Sequence, residues 1–162
     1  MGTKQIGTRP GPIVEIEGTR IPAPARESLG WRVRVTTLWI ALTVGMVAAT
    51  VLALVEPGIL EDVMAGEVEG EKITDAFSLM FAAFFLVPLV MAFLTLVLPN
   101  TANRWANGII AAVLTVMNAM DIAGHVSDGS FGGEALMMVG VIVAGLAIVW
   151  YAWRGRVGVR GP

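Results

Sequence analysis

Between Val33 and Trp153 the sequence divides into four apolar runs: Val33–Val55, Ala76–Leu98, Trp105–His125 and Ala135–Trp153. Each matches the roughly 20 residues that a helix needs to cross a bilayer at about 1.5 Å rise per residue. The first run follows Arg32 and Arg34 and stops at Glu56–Pro57. Pro99–Asn100 closes the second, and Arg154–Gly155–Arg156 closes the fourth. The third is less apolar than the others. The chain is 56% hydrophobic and 15% charged, with a mean hydropathy of +0.74. Soluble domains average about 45–50% apolar and about 25% charged residues. The expected fold is therefore all-α, a bundle of four transmembrane helices.

The residue inventory restricts the chemistry. With no cysteine there is no disulfide, thiol nucleophile, iron–sulfur cluster or cysteine zinc site. One histidine, His125, does not make a His-cluster metal site. A formal charge of −2 argues against a nucleic-acid partner. No Ser/His/Asp nucleophile motif, glycine-rich phosphate loop or His-x-x-x-His pair is present. The expectation is a protein that is not an enzyme, with no cofactor and no metal. Its arginine-rich, Ala/Val/Gly-rich composition suggests a bacterial source.

Charge placement orients the helices. The N-terminal segment carries Lys4, Arg9, Arg20, Arg26, Arg32 and Arg34. Arg104 lies between the second and third runs, and Arg154, Arg156 and Arg160 follow the fourth. The two remaining loops hold only Lys72. Cytoplasmic loops carry the excess of Lys and Arg, and Trp and Tyr gather at the interfaces. Trp31, Trp105, Trp150, Tyr151 and Trp153 all fall on the basic side. Both termini are expected in the cytoplasm, with the chain in a bacterial cytoplasmic membrane and the lipid bilayer as its immediate partner.

Residues 1–30 lack the apolar core of a signal peptide. Pro10, Pro12, Pro22 and Pro24 disfavour a continuous helix. The segment reads as a flexible cytoplasmic arm, or as an extended arm docking through Ile13, Val14, Ile16 and Ile21. Residues 31–155 form the membrane domain and 156–162 a cytoplasmic tail. The loop Glu56–Asp75 is acidic. Within it Ile59, Leu60, Val63 and Met64 are spaced for one short amphipathic helix on the outer membrane surface. The carboxylates read as a solvated face rather than a cation site, because the spacing of a calcium loop is missing.

Membrane helices associate by close packing of small residues. Ala41, Gly45 and Ala49 offer such a stripe on the first helix. Gly140 and Ala144 do so on the fourth, with Gly145 beside them. Pro88 removes a backbone hydrogen bond from the second helix and is expected to kink it. On the third helix Arg104, Asn107, Ala111, Thr115, Asn118, Asp121 and His125 share about a third of the circumference. Polar groups are costly against lipid, so this stripe should face the bundle or a partner chain. Asn118, Asp121 and His125 are the candidate ligand- or proton-handling residues, with Asp121 and His125 one turn apart. The other reading is that Asn118 and Asp121 join helices while His125 sits at the water boundary.

Five stretches carry a resemblance: LWIALTV (Leu38–Val44), EPGILEDVMAG (Glu56–Gly66), ITDAF (Ile73–Phe77), ANRWAN (Ala102–Asn107) and VWYAWR (Val149–Arg154). Over about residues 33–154 the chain resembles an uncharacterised family of small bacterial four-helix membrane proteins. That resemblance implies the four-helix topology and no activity. The function expected is a helix-packing or interaction protein, either a homo-oligomer or an accessory subunit of a membrane complex. The alternative is a small-molecule or proton-handling protein centred on the third helix.

Overall fold

A computed structural model describes residues 23–68, 70–127, 129 and 131–154. Among them are the long helices α1 (Ala23–Ala53), α3 (Asp75–Val97), α4 (Asn100–Ser127) and α5 (Gly133–Arg154). A short helix, α2 (Ile59–Ala65), and two strands, β1 (Glu67–Val68) and β2 (Glu71–Lys72), connect α1 to α3. The four long helices are each long and apolar enough to cross a membrane. Only 22–33% of each apolar window is buried against the rest of the chain, so most of every span faces outward. Residues 1–22, with the docking positions Ile13, Val14, Ile16 and Ile21, and the tail 156–162 lie outside the described residues.

Local chemistry sets the ends of these elements. Helix α1 starts at Ala23 rather than near Val33, and places Pro24 in its first turn, where the missing N–H costs nothing. The Thr74 hydroxyl caps α3 by accepting from the Phe77 N–H at 3.2 Å. Pro99 ends that helix by holding Leu98 extended, at φ −66° and ψ 147°. The connection between α1 and α3 holds the expected short helix, α2, and also a hairpin that was not anticipated. Glu67 pairs with Lys72 and Val68 with Glu71, and Gly70 turns the chain at φ 80°. No residue of α2 is buried, and Leu60 and Met64 lie open on its surface.

Helix α5 packs along both α1 and α4, and α1 packs along α3. The core face of α1 is Val35, Trp39, Leu42, Met46 and Ala49, alternating steps of four and three. That rhythm keeps one face turned inward along the whole helix. Gly45 borders this face, and a Cβ there would press on Val141 of α5. Ala41 is exposed, because each four-residue step rotates the stripe by about 40°. On α5, Ala144 packs against the core and Gly145 makes the close approach to α4. Gly140 is exposed and meets nothing.

Helices α3 and α4 touch over a short stretch, where Thr95 meets Asn103 and Asn107. The buried residues of α3 are Pro88, Met91, Ala92 and Thr95, all at or after the proline. Before Pro88 the helix presents the ring series Phe77, Phe81 and Phe85, with centroids 6.2 and 5.0 Å apart, and Phe81 is exposed. The bundle is thus closed at its arginine-bearing end and open between α3 and α4 toward the acidic end.

Candidate functional site

Among the described residues four polar side chains are buried: Thr95, Asn103, Asn107 and Asn118. Three of them join Trp39 in one network at the arginine-bearing end. The Trp39 indole donates to Asn107 Oδ1 at 2.5 Å. Asn107 Nδ2 lies 2.7 Å from the Asn103 carbonyl and 2.6 Å from its side-chain oxygen. Asn103 Nδ2 donates to the Thr95 carbonyl at 2.7 Å. The single Thr95 hydroxyl proton has two acceptors in reach, Met91 O at 2.7 Å and Asn107 Oδ1 at 2.9 Å. Every buried side-chain nitrogen and oxygen among the described residues has a partner.

The network ties α1, α3 and α4 together at one level, and Arg32 closes it from the solvent side. Its guanidinium donates to the carbonyls of Leu96 at 2.5 Å, Leu98 at 2.8 Å and Thr95 at 3.3 Å, and to Asn100 Oδ1 at 2.9 Å. The last carbonyls of a helix have no partner within it and carry partial negative charge, so a cation there is favourable. Amide, indole, hydroxyl and guanidinium groups that are already paired offer no acid–base chemistry near neutral pH. This assembly locks helix positions.

The candidate residues of α4 do not converge. Asn118 is buried, and its amide donates to the Leu114 carbonyl at 2.7 Å. His125 Nε2 faces Glu134 of α5 at 3.9 Å. Asp121 is exposed, and no hydrogen bond or ion pair joins it to His125. Asp121 lies 18 residues, or five full turns, beyond Asn103 and so on the same face of the helix. At the level of Asn103 that face is covered by α3. At the level of Asp121 it is not.

Sequence reasoning placed Asn107 on the polar stripe and missed its partners Trp39, Thr95 and Asn103. Two signals were available. Asn103 and Asn107 are one turn apart, and Trp39 lies within an apolar run, where its N–H must find an acceptor. Both asparagines belong to the segment ANRWAN.

Over residues 29–154 the chain matches the family described as Family of unknown function (DUF6326). The chain belongs to this family. The DUF6326 segment runs from Leu29 in α1 to the end of α5, and so contains the buried network and all four helical segments long and apolar enough to cross a membrane. The resemblance to an uncharacterised family is borne out. No curated protein and no solved structure matches this DUF6326 chain.

Proposed function

We propose that this protein is a multi-pass component of a bacterial cytoplasmic membrane with both termini inside. In this reading it acts without catalysis, as a helical subunit that assembles with further copies of itself or with other membrane proteins. The placement of Asp121 carries the proposal. From Trp105, at the aromatic belt, Asp121 is 16 residues along α4, about 24 Å. The hydrocarbon layer is about 30 Å thick. In this reading its carboxylate lies within that layer, on the exposed surface of a single bundle. An aspartate at the centre of a spanning helix costs about 2.5–3.5 kcal/mol on insertion scales, and less near the interface. A second protein surface with a hydrogen-bond donor relieves that cost, and the open side between α3 and α4 is where it fits.

The alternative, handling of protons or small molecules, keeps Asp121 as its ionisable group. It must draw the other polar groups from a covering chain, since the Asn118 amide and His125 face other partners.

The chain has no cysteine, so Met117→Cys and Met120→Cys each give a single reporter on exposed positions of α4. Oxidation in native membranes should yield disulfide-linked dimers from at least one of them. Light scattering of the mild-detergent extract should give the mass of more than one protomer, or of a complex with other subunits. A lone monomer in both experiments overturns the reading.

A further inference from the structure

At the arginine-bearing end a recess of about 230 Å³ opens between α4 and α5. Thr101, Arg104, Trp105 and Trp153 line its polar side, and Gly108 and Ile109 lie beneath them. The two indoles meet edge to face, with centroids 5.8 Å apart. Gly108 makes room for them, since a Cβ at that position would stand 3.3 Å from Trp153 Nε1.

Among the described arginines, Arg104 alone lines this recess; Arg34 is exposed and lies outside it. Arg32 is committed to the end of α3, and Arg154 stacks over Trp150 at 4.0 Å. Arg104 is half-buried and makes no hydrogen bond or ion pair with any described residue. Its guanidinium therefore brings five uncommitted donors to the recess. The Thr101 hydroxyl stands one turn away, in the first turn of α4. Below them Ile109 is 55% exposed and continues the outward apolar face of the helix. The recess is thus cationic and hydrogen-bonding at the top and apolar beneath, the profile of an amphiphile with an anionic head.

We propose that this recess binds the phosphate headgroup of an anionic membrane lipid. The phosphodiester lies against Arg104 and Thr101, and an acyl chain runs down past Ile109. Guanidinium groups recognise phosphate oxygens through paired donors, and basic pockets between spanning helices on the cytoplasmic side take anionic headgroups. The inference rests on the membrane reading above.

The indoles lining the recess provide the readout. Full-length protein in mild detergent is titrated with brominated phosphatidylglycerol or brominated phosphatidylcholine, and tryptophan quenching is followed. The wild type should bind the anionic lipid at least fivefold more tightly than the zwitterionic one. Arg104→Gln should abolish that preference, and Arg104→Lys should retain part of it. Circular dichroism and the melting point should stay unchanged in both, because Arg104 holds no other described residue in place. Equal quenching by the two lipids in the wild type refutes the site, as does an undiminished preference in Arg104→Gln. Displacement of the brominated lipid by millimolar inorganic phosphate also overturns it, by assigning the recess to a soluble anion. Extraction of native membranes with alkaline carbonate tests the membrane reading separately. Protein that stays in the pellet but shows no lipid preference refutes this inference alone.

Discussion

Asn107→Ala tests whether the buried network holds the bundle together. Asn107 and Trp39 are both fully buried, and the indole of Trp39 donates to Asn107 Oδ1. Truncation leaves that N–H with no acceptor, at a cost of about 1–3 kcal/mol. It also removes the donation from Asn107 to Asn103, and interhelical or local bonds in membrane proteins contribute about 0.6 kcal/mol on average. The Thr95 hydroxyl loses little, because the Met91 carbonyl remains in reach. The expected loss is about 2–4 kcal/mol, measured by reversible unfolding in mixed micelles titrated with sodium dodecyl sulfate. Trp39→Phe removes the donor instead. In the double variant no orphaned N–H remains, so the two substitutions should couple by about 1–2 kcal/mol. A loss below about 0.5 kcal/mol for Asn107→Ala, or additive effects in the cycle, would refute the view that this network positions the helices.

Four further outcomes follow from the packing and the charge placement. Gly145→Ala should cost about 1–3 kcal/mol in the same assay, because its Cβ collides with the Thr115 hydroxyl, and adding Thr115→Ala should restore much of it. Gly140→Ala, where a Cβ meets nothing, should stay within about 1 kcal/mol of wild type; equal effects at the two glycines would contradict the register of α5. Arg32→Gln should destabilise by about 1.5–3 kcal/mol through the exposed end of α3, and Arg32→Lys should recover only part, since a compact ammonium does not span three carbonyls and an amide. A membrane-impermeant maleimide should label Gly129→Cys on intact cells and Ala102→Cys only after permeabilisation; the reverse pattern would invert the proposed topology.

The open side of the bundle links these points. Pro88 divides α3 into a half packed on α1 and α4 and a half that is largely uncovered. A proline cannot donate to the carbonyl four residues earlier and crowds it. Asp121 is exposed on α4, so the assembly proposed above would change its surroundings.

Much of this arrangement can be read along the chain. Run length and the Pro99 stop depend on neighbours within a few residues, and except at the start of α1 the helix limits fall close to those expectations. The start of α1 falls before the expected one because a proline disfavours a helix interior but is tolerated in the first turn. The site was less legible. Asn118, Asp121 and His125 share a face of α4, but a shared face does not say what stands across from it. Asn118 donates to the Leu114 carbonyl of its own helix, His125 meets Glu134, and Asp121 is exposed.

The sequence by itself determined four helices long and apolar enough to cross a membrane, most of their ends and the uneven placement of charge, because segment length and backbone hydrogen bonding act on each segment separately. Tertiary structure decided which small residues make close approaches, Gly45 and Gly145 rather than Ala41 and Gly140. It also decided that Trp39, Thr95, Asn103 and Asn107 form one satisfied network while Asp121 is left outside. Those outcomes depend on how helices far apart in sequence are rotated about their axes. That rotation comes from packing between helices, and no single helix specifies it alone.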